Sequence, residues 1–486
     1  MKTTTNTHTI TYKVAHASTW QGDLRIVPMP VPHPGNPRQP GKLVGDKLLI
    51  TTPEGKQELR VSLGLEGKVT LYKIYKAAGS VAKWLYEHQI DEVALHPADL
   101  SGLNNEHALR VFCDGLLVGA FRFTEHKSKA DHILHTKIYL LGDDDMNALQ
   151  LLASESTATV AGTNYARLIA HEPPNEINPL SLAERAQELG DQTAIQVKVL
   201  GEQELTAIGA NAILSVGLGS KTPSQMIILE YPGQGETVGS EPVVVVGKAI
   251  TFDTGGYSLK DTTNIVGMKY DKCGGAAVLG IMQAVSSLKI AVPVVGIIAA
   301  AENMISENAY RPNDIIKTLS GKTIEIISTD AEGRVVLSDA LTYAHTNYSP
   351  RAIIDIATLT GGIVVALGKV RAGIMSNDDQ LAQALLAAGE RTSERLWRMP
   401  LDDEYFDLIE GYDSDFRNSS GVRQAHPIVG GIFLKQFVSE DVPWAHLDIA
   451  GLASTGDSVQ IALPFPPRGA TGFGVRLVVN YLQHLA

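Results

Sequence analysis

The sequence predicts an α/β protein in two parts. A small N-terminal α/β domain over 1–150 precedes a larger C-terminal α/β domain over 173–486, whose sheet is mostly parallel and covered by helices. Three observations support this. At 486 residues the chain is too long for one ordinary core. From about residue 175, strand-like and helix-like stretches alternate, the pattern of repeated strand–helix units. The run Val243–Val246 is continuously apolar rather than alternating, as expected of a strand buried on both faces.

Taken in order, residues 28–42 hold Pro28, Pro30, Pro32, Pro34, Pro37 and Pro40 with Gly35 and Gly41. Proline lacks an N–H and fixes φ, so an extended surface segment is expected there, and neither a helix nor a central strand. Strands are predicted at 47–51, 68–75, 92–96 and 133–141, with helices near 78–89 and 103–113 between them. The longest helix spans about 145–171, with Leu149, Leu152, Val160, Leu168 and Ile169 as apolar positions. Its periodicity slips near Gly162, and Pro173-Pro174 stops it. Residues 145–172 are thus expected to connect the domains. In the second domain strands are predicted at 195–200, 225–231, 242–252, 292–300, 324–328 and 352–357, with helices near 180–190, 274–288 and 332–347.

Composition narrows the function. With 41 basic and 53 acidic residues the formal charge is −12. The basic footprint of a nucleic-acid or anionic-membrane binder is missing. Two cysteines, Cys113 and Cys273, imply no disulfide framework and fit a reducing compartment. No apolar run approaches 18 residues, and Met1–Tyr12 lacks a signal pattern. A cytoplasmic protein without a membrane partner is expected.

The informative residues are charged ones set against apolar runs. Lys248 follows the valine run directly, with Asp253, Lys260 and Asp271 close behind. Ile326-Ile327 leads into Ser328-Thr329-Asp330-Ala331-Glu332-Gly333-Arg334. Ionised groups are rarely buried unless paired or bound to metal. Four carboxylates at strand ends, with no His or Cys cluster, favour hard or borderline divalent cations. Ligands in such folds sit beyond the carboxyl ends of strands. Other chemistries lack their residues. There is no His-Glu-x-x-His, Ile316 occupies the glycine position that a phosphate loop ending at Gly321-Lys322-Thr323 requires, and Gly472 and Gly474 lack the third glycine of a dinucleotide turn. Cys273 has no histidine near it in sequence and reads as a packing residue.

The segments Gly247–Lys260, Met268–Asp271 and Thr329–Arg334 resemble the leucine aminopeptidase (cytosol aminopeptidase) family. So do Asn164–Arg167, Glu172–Asn175, Ala357–Gly361 and His446–Gly451, in the same order, so that the resemblance covers roughly 160–486. It implies a two-metal exopeptidase that removes N-terminal residues from peptides, with broad or leucine-like preference. By the same resemblance Lys248, Asp253, Asp271 and Glu332 bind one ion, and Asp253, Asp330 and Glu332 the other. As a ligand, Lys248 would have to be neutral. Zinc is expected, with manganese or magnesium able to occupy an oxygen-rich site. Lys260 and Arg334 are the implied catalytic pair. Lys260 would stabilise an oxyanion, and Arg334 would hold a bicarbonate that accepts the proton of water. Thr358, Leu359, Thr360 and Gly361 would contact substrate. A homohexamer of two stacked trimers is also implied. The sequence departs from the family at Thr254, where serine is usual, and over Arg423–Gly431, which shapes the substrate pocket. The alternatives are a structural or regulatory hexamer of the same family and a different two-metal hydrolase.

Overall fold

A computed structural model describes residues 7–485 apart from 33–38, 102, 104, 130, 131, 144, 238 and 456–468. The chain divides into two compact units. One comprises 1–160 with 390–393 and 456–468, the other 161–389 with 394–455 and 469–486. The division at 160/161 falls inside the helix Met146–His171.

The first unit holds a six-stranded sheet built from β1 (His8–His16), β2 (Leu24–Val31), β3 (Lys47–Thr51), β4 (Gln57–Leu65), β5 (Glu92–Leu95) and β6 (Leu134–Gly142) in the order β1-β6-β5-β2-β4-β3. Helices Leu71–Glu87 and Ala108–Ala120 pack in its core through Ala78, Val81, Leu85, Val111, Phe112 and Leu116. Several sequence expectations change here. Pro28 and Pro30 lie within β2, an interior strand, and not in a surface segment. The prolines are tolerated because β2 pairs with β5 only at Arg25 and Ile26, so beyond Ile26 that side of the strand needs no N–H. Residues 33–38 of the same stretch lie outside the described residues. The strand expected at 68–75 is instead the start of a helix: the Thr70 hydroxyl accepts from the Lys73 amide as N-cap. Buried Ile74, Ala77, Ala78, Val81 and Leu85 follow at helical spacing. The helix expected at 103–113 runs from Ala108 to Ala120.

The second unit is organised by an eight-stranded sheet. Its strands are β7 (Gln196–Leu200), β8 (Gln225–Tyr231), β9 (Val243–Asp253), β10 (Val294–Asn303), β13 (Ala352–Ala357), β14 (Ala372–Ser376), β15 (Leu396–Arg398) and β17 (Trp444–Asp448), in the order β15-β14-β17-β13-β9-β10-β8-β7. The four central strands β17, β13, β9 and β10 are mutually parallel. Antiparallel β8 and β7 extend one side, and β14 runs antiparallel to β17 on the other. The valine run behaves as its pattern predicts: Val243 and Val245 enter one apolar cluster, Val244 and Val246 the opposite one. Helix Cys273–Leu288 packs in the first cluster and helix Glu332–Asn347 in the second. Residues 324–328 do not join this sheet. β11 (Ile315–Lys317), β12 (Thr323–Glu325) and β16 (Phe416–Arg417) form a separate three-stranded sheet, and β18 (Ser454–Thr455) pairs with β19 (Gly469–Ala470). Among the described residues no helix is long and apolar enough to cross a membrane.

Candidate active site

The site lies where the carboxyl ends of β9, β13 and β17 meet the turns that follow them. Lys248 sits inside β9, five residues before its end, and Asp253 is the last residue of that strand. Asp271 lies in the short helical turn Met268–Lys272. Asp330 precedes helix Glu332–Asn347, and Glu332 opens it, where the helix dipole favours a carboxylate. Glycine brings these segments together. Gly255 has φ of +88°, and a Cβ there would come within 2.8 Å of an Asp330 carboxylate oxygen. A Cβ on Gly333 would meet Lys248 Nζ at 2.6 Å.

The resulting cluster is dense in charge. Asp253, Asp330 and Glu332 each offer a carboxylate oxygen within 4.8 Å of the others, a spacing that could hold a metal ion. Asp271 stands outside that trio and joins it through Lys248. Lys248 Nζ is 2.9 Å from Asp271 Oδ1, 2.7 Å from Glu332 Oε1, and donates to the Thr358 carbonyl at 3.0 Å. Lys260 Nζ is 2.8 Å from Asp253 Oδ2 and also pairs with Asp330. Asp253 is fixed from its other side, its Oδ1 accepting from the Gly255 amide and from Asn303 Nδ2, both at 2.8 Å. Asp271 Oδ1 accepts from the Thr358 hydroxyl at 2.8 Å.

Burial and crowding set the ionisation. Burial, then the charge of Glu332, raises Asp253 above the usual carboxylate range. The same two causes lift Asp330 to about 6. Burial pushes Asp271 well up against the pull of Lys248. Burial also pushes Glu332 upward, but Lys248 and Lys260 outweigh it and hold it below its ordinary value. Burial opposes the charge on Lys248, yet Asp271, Glu332 and Asp253 keep its ammonium above the ordinary range. With these partners alone Lys248 is therefore a paired cation, whereas the resemblance requires a neutral amine; to serve as a ligand it would have to give up that proton.

Arg334 is 2 % exposed and donates from Nη1 to the Asn418 carbonyl at 3.0 Å, while its buried Nε has no hydrogen-bond partner. Burial brings its pKa down to about 10 against the charges of Glu332 and Asp448. It is not the surface pair that its position near the start of a helix would allow. Thr358, Leu359, Thr360 and Gly361 line the same cavity, of about 650 Å³, as do all seven charged residues. Met268, Tyr270, Ala450 and Ala453 give it an apolar stretch, and Arg423 and His426 a basic one. Cys273 is buried beside the site, its Sγ 3.8 Å from the Ala453 carbonyl, as a packing residue.

Sequence reasoning missed three residues. Asn303, fully buried at the end of β10, holds both Asp253 and the Thr329 carbonyl. Tyr310 donates to that same carbonyl at 2.9 Å. Asp448, fully buried at the end of β17, holds the loop after β13. Asn303 closes a largely apolar strand with a polar side chain, the signal that marked Asp253, whereas β17, which Asp448 closes, is short and also carries His446.

Fold and site define a metal-dependent hydrolase: carboxylates gathered at the ends of parallel strands, with two lysines among them. Comparison with known proteins makes this specific. The catalytic-domain model of the cytosol aminopeptidase family matches residues 164–479. A relative named "Probable cytosol aminopeptidase" from Cenarchaeum symbiosum (strain A) is 42% identical over 449 residues, 91% of this chain and 90% of its own. One of the same name from Rickettsia bellii is 37% identical over 440 residues, 90% of this chain and 86% of its own. Among solved structures, the bottromycin maturation enzyme BotP in complex with Mn superposes with a TM-score of 0.84 at 30% identity, covering 95% of this chain and 99% of that one. The chain belongs to the cytosol aminopeptidase family and is a metal-dependent aminopeptidase.

Proposed function

We propose that this aminopeptidase releases single residues from the free N-terminus of peptides with the help of two divalent ions, with broad or leucine-like preference. The observation that carries this reading is the convergence of Lys248, Asp253, Asp271, Asp330 and Glu332 on one cavity. The donor set fits ions. Three carboxylate oxygens lie within 4.8 Å of one another, and the buried Asp271 Oδ2 has no hydrogen-bond partner. Lys248, Asp253, Asp271 and Glu332 would hold one ion, and Asp253, Asp330 and Glu332 the other. An oxygen-dominated set accepts zinc, manganese or magnesium, and we favour zinc at the position that includes the Lys248 nitrogen. Bound there, the ions would polarise a carbonyl and lower the pKa of water.

The chain's own groups supply the rest. Lys260, held between Asp253 and Asp330, presents an ammonium to the cavity and can stabilise negative charge on the carbonyl oxygen. Arg334 stays protonated and cannot be the base; its unpartnered Nε makes it the residue to hold a bicarbonate. Thr358–Gly361 form the wall along which a peptide would lie. The apolar stretch at Met268, Ala450 and Ala453 suits an aliphatic side chain. We further propose a homohexamer, on the family resemblance, with light scattering as the check; an active monomer would overturn it.

The test compares leucine anilide with phosphate esters before and after chelation. Chelation should abolish anilide hydrolysis and added Zn²⁺ or Mn²⁺ should restore it. Full activity in exhaustively ion-free protein, or preference for the phosphate ester, would overturn the proposal.

A further inference from the structure

Asp448 is fully buried and has no cationic partner within ion-pair distance among the described residues. A carboxylate in that position is costly unless its oxygens are satisfied by hydrogen bonds. They are, two of the three by one loop. Oδ1 accepts from the amides of Leu359 and Ala450, both at 3.2 Å, and Oδ2 accepts from the Thr360 hydroxyl at 2.6 Å. Thr360 is also the N-cap of helix Gly361–Leu367, its hydroxyl oxygen accepting from the Ile363 amide at 3.2 Å. The Thr360 hydroxyl thus donates to Asp448 while its oxygen accepts from the helix amide.

The loop so held touches both sides of the charged cluster. One residue before Leu359, the Thr358 carbonyl accepts from Lys248 and the Thr358 hydroxyl donates to Asp271. The charge of Asp448 favours the protonated forms of Arg334, His426 and His446. Leu359 and Thr360 pack in turn beneath Gly430, where a Cβ would meet Leu359 Cδ2 at 2.8 Å. We infer that Asp448 is a positioning residue for the aminopeptidase reaction: it sets the 358–361 backbone, and through Thr358 it fixes where Lys248 and Asp271 point. This rests on the proposed function of the same cavity.

The test uses the full-length holoenzyme. Asp448→Asn keeps the size of the side chain but removes its charge and turns one acceptor into a donor. Thr360→Val removes the hydroxyl while keeping the shape. Each should lower kcat on leucine anilide by about 10–10²-fold, the scale on which small misplacements act. KM should move less than threefold, roughly, and ions per chain should stay unchanged. The double variant should be no slower than the slower single one, because both remove the same link. Hydrogen exchange should show the Leu359 amide less protected in Asp448→Asn. Unchanged kcat in both variants, or fully additive losses, would overturn the inference, and so would losses confined to KM. If Asp448→Asn does not fold, Thr360→Val alone decides on kcat and on Leu359 exchange. An unmodified enzyme inactive on peptides would instead refute the proposed function.

Discussion

Replacing Lys248 by arginine separates two roles that the geometry holds side by side. As the structure stands, the Lys248 ammonium is an ion-pair partner 2.9 Å from Asp271 and 2.7 Å from Glu332. If that were its whole role, Arg would keep the charge and much of the pairing. If Lys248 is a metal ligand, its amine must give up a proton to the solvent, and guanidinium cannot do so in a protein. Two unit charges at about 4 Å and an effective dielectric of about 20 interact by about 4 kcal/mol, so a fixed cation opposing a divalent ion costs about 8 kcal/mol. Half of that is already about a thousandfold in ion affinity. Shape adds to charge, since a Cβ on Gly333 would lie 2.6 Å from Lys248 Nζ and the longer side chain has no room there. Lys248→Arg is therefore expected to lose one ion per chain and most turnover, read by elemental analysis and anilide hydrolysis. In the unmodified protein the carboxylates hold Lys248 protonated, so an ion that took Lys248 as a ligand would have to displace a proton. Ion affinity then falls as pH falls, by about tenfold per pH unit while that amine stays protonated without the ion. Two tightly bound ions and near-normal kcat in Lys248→Arg would refute this reasoning, as would ion affinity independent of pH.

Three other outcomes are expected. Lys260→Ala should lower kcat by about 10²–10³, the scale of losing an oxyanion donor, with ion content unchanged; an empty site would show that Lys260 mainly holds Asp253 and Asp330 in place. Gly274→Ala should lower thermal stability, because its Cβ would meet the Ile356 carbonyl oxygen at 2.0 Å where helix Cys273–Leu288 crosses β13. Overpacking of this kind costs about 1–3 kcal/mol or more, and calorimetry showing an unchanged Tm would contradict the close approach. Asp339→Ala should strip acceptors from the buried amides of Ala212 and Ile213 and from the half-buried amide of Leu319. At about 1–3 kcal/mol for each unsatisfied group, denaturant unfolding should show a loss of about 3 kcal/mol or more; a change below about 1 kcal/mol would mean that these amides find other partners.

The second unit was largely legible in the sequence because its signals are local. The strand expected at 242–252 is observed at Val243–Asp253, and 225–231 and 352–357 agree residue for residue. The helix expected at 332–347 does as well. A doubly buried strand has to be apolar throughout, so it writes itself into a short window. Strands β14, β15 and β17 leave little trace in the sequence: they are three to five residues long and each mixes apolar with polar residues. Their pairing comes from neighbours remote in the chain. The first unit is less legible. At Leu71–Glu87 a helix start looked like a strand, since Tyr72, Ile74 and Tyr75 favour either, and the Thr70 cap decided it.

By itself the sequence singled out the charged residues that the cavity gathers. Lys248, Asp253, Asp271, Asp330 and Glu332 stand out because an ionised group beside an apolar run needs a partner or an ion, and that cost is visible without coordinates. Only the tertiary structure decided how these groups share the space. Asp253, Asp330 and Glu332 form the close trio, Asp271 is tied in through Lys248, and Lys260 bridges Asp253 to Asp330. Asn303 and Asp448 entered the site in the same way, across 50 and 89 residues of chain. Hydrogen bonds and Coulomb forces act over a few ångströms, and which distant residues come that close depends on how the strands are ordered in the sheet.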